Sequence, residues 1–130
     1  MVSNPTPIRQ TSVLVVEDEP MLLMVASETL RDAGLAVWEA SDGPSALAIL
    51  KAQPEIDVLL TDIKMPGLSG YQLAEAGTAL RPGLKIVLMT GYAQDPVPQS
   101  MQDAGVKVLR KPFDIDRLPA VVDEVLKSTK

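Results

Sequence analysis

Five polar residues stand where apolar runs end. Glu17 and Asp18 follow the run over 12–16, Asp62 follows 58–61, Thr90 follows 85–89, and Lys111 follows 106–110. Each is the first strongly polar residue after its run, apart from Arg110 beside Lys111. If the runs are neighbouring strands, all five converge on one crevice. Three carboxylates so placed repel one another, and a hard divalent cation relieves that repulsion. Mg²⁺, or Mn²⁺ in its place, prefers oxygen ligands and keeps several waters. It would also bridge to a phosphoryl oxygen and neutralise charge as a phosphorus–oxygen bond forms. Lys111 would bring a point charge to a second phosphoryl oxygen, and the Thr90 hydroxyl a hydrogen bond to a third. An aspartate is already a nucleophile at neutral pH, so no general base is required. The set therefore fits phosphoryl transfer to Asp62.

The elements that must position these residues alternate along the chain. Strands are expected over 12–16, 35–40, 58–61, 85–89 and 106–110, and helices over 20–33, 44–53, 71–80, 98–104 and 115–127. Pro20 suits a first helical turn and Gly34 the residue after a last one. Asp42 or Gly43 caps the second helix, and Pro96 and Pro98 confine the fourth to a short segment. Asp114 caps the fifth, with Phe113 and Leu118 as a hydrophobic staple. Five βα units in succession imply a doubly wound α/β fold, a five-stranded parallel sheet with helices on both faces. Ligands of such sheets bind beyond the carboxyl ends of the strands, near the switch point in strand order.

Length and composition bound the function. The 130 residues suffice for one domain. With 12 basic and 17 acidic residues, net charge −5, there is no electrostatic footprint for nucleic acid. The absence of cysteine excludes disulfides and thiolate metal sites, and the absence of histidine excludes imidazole catalysis and a phosphohistidine carrier. No apolar run approaches the ~18 residues that span a bilayer. The polar start lacks the order of a signal peptide, so a cytoplasmic protein is expected, with a flexible arm over 1–11 and one domain over 12–128. The initiator Met, and a stop soon after the last amphipathic stretch, read as a complete single-domain chain.

Four motifs carry a resemblance: Val-Leu-Val-Val-Glu-Asp-Glu over 13–19, Asp-Ile-Lys-Met-Pro-Gly-Leu-Ser-Gly over 62–70, Met-Thr-Gly-Tyr over 89–92 and Lys-Pro-Phe over 111–113. In this order and spacing, and over nearly the whole of 12–126, the chain resembles the receiver domain of two-component response regulators. The resemblance implies a chemotaxis-regulator-like, flavodoxin-like (βα)5 fold with strand order 2-1-3-4-5. It implies Asp62 as phosphoacceptor, and Asp18, Asp62 and the Lys64 carbonyl as direct Mg²⁺ ligands, with Glu17 acting through water. It implies a cis bond between Lys111 and Pro112. Lys64 and Tyr92 occupy positions that flank the path of hydrolytic water in the family, and so would tune the lifetime of the aspartyl-phosphate. The donor would be a histidine kinase or histidine phosphotransfer protein. The protein would be no enzyme beyond its own phosphorylation and dephosphorylation, and would act on an unknown downstream protein as a monomer or weak homodimer.

Departures from the family bear on output. Val108 stands where many receivers carry an aromatic ring that moves with the threonine, and Val106 and Lys107 stand where acids often precede it. Val108 removes aromatic–threonine coupling as the output route, and Val106 and Lys107, together with the proline-interrupted fourth helix, argue against dimerisation through the helix four, strand five and helix five face. Bland readings compete for single residues. Glu17 and Asp18 could simply favour a helix N-terminus, Asp62 could precede a turn at Met65-Pro66-Gly67, and Lys111 could be solvated. The start of the first helix is apolar for five residues, Pro20 to Met24, more than one buried stripe uses. On a helical wheel Met24 points away from the stripe through Leu22, Val25 and Ala26, with Met21 and Leu23 on its flanks. These three residues form a candidate docking patch for the kinase, since methionine adapts to a partner's shape. Two other functions remain: a phosphorylation-independent interaction module on the same fold, and a metal-dependent phosphohydrolase. The latter usually has a second acid two residues after the nucleophile, where this chain has Lys64.

Overall fold

The computed structural model describes residues 10–65, 67–91, 99 and 106–127. The apolar runs form five parallel strands, β1 (Ser12–Val16), β2 (Ala36–Ala40), β3 (Val58–Asp62), β4 (Lys85–Thr90) and β5 (Lys107–Arg110), in the order β2-β1-β3-β4-β5. Every residue of the adjacent strands β1 and β3 is buried, as helices on both faces require. The helices are α1 (Pro20–Asp32), α2 (Gly43–Ala52), α3 (Gly70–Leu80) and α4 (Leu118–Lys127). Of the helix expected over 98–104 only Gln99 is among the described residues, and it is helical; of the arm expected over 1–11, residues 1–9 lie outside them. Thr11, at the end of that arm, has its carbonyl bonded by the Ala36 N–H at 2.9 Å.

Alternation along the strands divides the core. Leu14, Val16, Leu59, Ile63, Ile86 and Leu88 pack with Leu50 of α2 and Leu73 of α3. Val13, Val15, Val58, Leu60, Val87 and Met89 pack on the other face with Leu30 of α1 and Val122 of α4.

Local sequence sets the helix ends. The Asp42 carboxylate accepts the Ser45 N–H at 2.7 Å and caps α2. Ser69 and Gln72 form a reciprocal capping box on α3 that the sequence reading missed: Ser69 N–H donates to Gln72 Oε1 at 2.9 Å, and Gln72 N–H to Ser69 Oγ at 3.2 Å. Gly34, just past α1, takes φ +94°, a left-handed conformation that glycine adopts without strain.

Two expectations are corrected. The last helix does not begin at residue 115: Asp114 caps a 3₁₀ turn, Ile115–Arg117, and α4 begins at Leu118. Pro119 has no N–H for the Ile115 carbonyl, and the Leu118 N–H takes that carbonyl instead, which tightens the turn. The buried face of α1 is also rotated from the expected one. Ala26, Ser27 and Leu30 are buried, Leu23 is half-buried on the same core, and Ala33 is exposed. Leu23 and Leu30 lie two turns apart on one side of the helix.

At one rim of the sheet, Arg31 from the last turn of α1 reaches over β2. Its Nη2 donates to the Val37 carbonyl at 3.2 Å and its Nη1 pairs with Glu39 at 2.8 Å. The Ala36 N–H and the Ala40 carbonyl are bonded on the β1 side. By alternation the Val37 carbonyl faces outward.

Candidate functional site

Strand order reverses at β1, where β1 lies between β2 and β3. The chain leaves β1 at Glu17 and Asp18 and β3 at Asp62, so the register that pairs Val16 with Thr61 brings these acids together. One oxygen from each of Glu17, Asp18 and Asp62 lies within 4.8 Å of the others. Glu17 is 1% exposed and Asp62 is buried, whereas Asp18 faces solvent. On β4, Thr90 is buried one residue beyond Met89, the register partner of Asp62. Beyond β5, the Lys111 N–H donates to the Thr90 carbonyl at 2.7 Å. The Lys111–Pro112 bond is cis.

Lys111 joins the acids. Its Nζ stands 3.0 Å from Glu17 Oε1 and 3.3 Å from Asp62 Oδ2, so one ammonium bridges two carboxylates. The second oxygen of Glu17 accepts the Glu19 N–H at 3.3 Å. Burial pushes the Glu17 carboxyl up to about 7, and the neighbouring Asp62 charge adds to it, against the hydrogen bond and charge of Lys111. Burial alone would lower the Lys111 ammonium. The hydrogen bond to Glu17 and the Asp62 and Glu17 charges outweigh it, and its pKa is raised. A site with a proton held near neutrality on one acid, and a lysine spread over two, is short of positive charge. A divalent cation with oxygen preference fits that shortage and that donor set.

The structure thus brings together Glu17, Asp18, Asp62 and Lys111, with Thr90 at the adjoining strand end. Lys64 is exposed in the loop between β3 and α3, and Tyr92 lies outside the described residues. Of the candidate docking patch, Met21 and Met24 are 65% and 48% exposed. Leu23 is a correction: it packs on the core with Ala26 and Leu30, for the rotational reason given above. In its place Leu22 and Val25, read from sequence as stripe residues, line a groove of about 410 Å³ with Met21, Pro112, Phe113 and Ile115. Lys111 also lines this groove, which therefore opens beside the acids.

Residues 13–123 match the family model for the response regulator receiver domain. The chain belongs to that family. It is 35% identical over 115 residues to the response regulator receiver protein CpdR of Brucella abortus (strain 2308), covering 88% of this chain and 95% of CpdR. It is 33% identical to the sensor kinase CckA of the same organism over 89% of this chain, but spans only 12% of that kinase. Among solved structures, the receiver domain protein of Clostridium thermocellum superposes with a TM-score of 0.81 at 28% identity, covering 89% of this chain and 94% of that one. Receiver domains are phosphoacceptor modules of two-component signalling, and this chain is one of them; such domains bind Mg²⁺ at an acidic site, and Glu17, Asp18 and Asp62 form an acidic group that could hold a metal ion. No helix among the described residues is long and apolar enough to cross a membrane.

Proposed function

We propose that Asp62 accepts a phosphoryl group from the phosphohistidine of a histidine kinase or phosphotransfer protein. The observation that carries this reading is the Lys111 ammonium shared between Glu17 and Asp62 at the switch point of the sheet. An oxygen of Asp62 forms the new bond to phosphorus while the phosphorus–nitrogen bond of the donor breaks, and the electron pair of that bond returns to the imidazole. Mg²⁺, held by Asp18, Asp62 and the Lys64 carbonyl, with Glu17 through water, would supply the charge that neutralises the phosphoryl oxygens. Lys111 moves from carboxylate to a phosphoryl oxygen, and the Thr90 hydroxyl donates to another. Lys64 and Tyr92 shield the product from water. The only chemistry of the chain is its own phosphorylation and dephosphorylation.

The donor docks on the groove of Met21, Leu22, Val25, Pro112, Phe113 and Ile115, and on the exposed Met24 of the same helix as the first three. A phosphohistidine carried there by a helix would lie beside Lys111, within reach of the acids. The test is intact-mass measurement after incubation with acetyl phosphate and Mg²⁺. The wild type should gain one phosphoryl group and Asp62→Asn none, because the substitution removes the nucleophile with little change of shape. A mutant labelled at the wild-type rate refutes the assignment.

A further inference from the structure

We propose that Thr61 is a positioning residue for the metal: its buried hydroxyl fixes the start of the β3–α3 loop and so presents the Lys64 carbonyl. The inference rests on the proposal above that this carbonyl is a ligand. Thr61 is completely buried. By alternation it lies on the face of Leu59 and Ile63, with the α2 and α3 core, so it does not enter the crevice. Its Oγ1 lies 2.9 Å from the Asp62 carbonyl oxygen and 3.8 Å from Met65 Sδ. A hydroxyl has one proton, and the carbonyl is the stronger acceptor, so the proton goes there and the sulfur packs against the oxygen.

The Asp62–Ile63 peptide unit and the Ile63–Lys64 unit after it are held from further sides. The Ile63 N–H donates to the Met89 carbonyl at 3.0 Å, and the Ile63 carbonyl accepts the Gly70 N–H at 2.8 Å. The first residue of α3 presses on the Asp62–Ile63 unit: a Cβ at Gly70 would lie 2.3 Å from the Asp62 carbonyl oxygen and 2.8 Å from Ile63 Cα. Lys64 therefore stands between two anchors, the Asp62–Ile63 unit and Met65, and both touch one hydroxyl. A carbonyl ligand on a loop ordered beforehand spares the metal the conformational entropy of ordering it.

Thr61→Ser and Thr61→Ala both lose the methyl group and differ only in the hydroxyl, so the pair isolates it. Calorimetric titration of Mg²⁺ into the full chain should give the Ser variant an affinity within about twofold of wild type. The Ala variant should bind about tenfold more weakly, about 1.4 kcal/mol. Equal affinity of the two variants overturns the proposal, even if the Ala variant melts lower, because the hydroxyl would then serve stability alone. If the Ala variant does not fold, Thr61→Val carries the same comparison with wild type. Asp18→Asn is the control for the underlying reading. Unchanged Mg²⁺ affinity in that variant overturns the metal site itself, an outcome distinct from equal binding by the Thr61 pair.

Discussion

Raising the pH of the metal-free protein through neutrality should destabilise it, and Glu17 should be the cause. Its carboxyl is pushed from 4.5 to about 7 in the folded state. The folded protein then holds a proton that the unfolded chain has released, so the stabilising proton is lost as pH rises through about 7. Integrated from about pH 5.5 to about pH 8.5, that displacement corresponds to roughly 2 kcal/mol. For a domain of this size the loss lowers the melting temperature by roughly 6 °C. The window is clean, because the chain has no histidine and no cysteine to titrate within it. The raised pKa of Lys111 adds stability that is lost only in alkaline solution, beyond this range. Thermal melts in a chelator across these pH values are the assay. Glu17→Gln should flatten the profile, since the amide stays neutral throughout, and saturating Mg²⁺ should flatten it too, by competing with the proton. A wild-type melting temperature that is level or rises with pH, or a Glu17→Gln slope equal to that of wild type, would refute the reasoning.

Ser27→Ala should stabilise the protein by about 1 kcal/mol in denaturant unfolding, because the Ser27 hydroxyl is fully buried without a hydrogen-bond partner among the described residues; a loss of stability would show that the hydroxyl is satisfied. Met24→Asp should slow phosphotransfer from the cognate kinase at least ~10-fold while acetyl phosphate labels Asp62 normally; equal slowing of both donors would place the defect in the site or fold, and no slowing would remove Met24 from the docking surface. Lys64→Ala combined with Tyr92→Ala should shorten the half-life of the phosphorylated form, measured by loss of phosphoryl mass; an unchanged or longer half-life refutes the shielding role.

The strands and the acids at their ends were legible because a doubly covered parallel sheet writes itself as apolar runs that stop at polar residues. Glu17, Asp18, Asp62 and Lys111 needed only that rule and the strand order to meet. What sequence did not disclose depends on contacts between distant segments. Thr61 reads as one more β-branched strand residue, and nothing nearby says that its hydroxyl holds the next carbonyl. The close approach of Gly70 to Asp62, and of Gly43 to Leu68, where a Cβ would lie 2.3 Å from Leu68 Cβ, is visible only in three dimensions. Leu23 was misplaced because an apolar run of five residues leaves the angle of the buried face open. The start of α4 was misplaced because the missing N–H of Pro119 acts one turn upstream of the proline itself.

Arg31 gives the sheet a property unrelated to signalling. An outward carbonyl on an edge strand is half of a template on which another chain can grow a sheet. On β2 the Val37 carbonyl is already occupied by a guanidinium that is also paired with Glu39. On the opposite rim, Lys107 of β5 is paired with Glu124 of α4 at 3.2 Å. At the β2 border an incoming strand would have to evict the Arg31 guanidinium before it could bond the Val37 carbonyl. The β2 border of the sheet is thus capped at Val37 by a residue from the helix beside it. Collisions between copies that meet at this border should end in separation, not in a shared sheet.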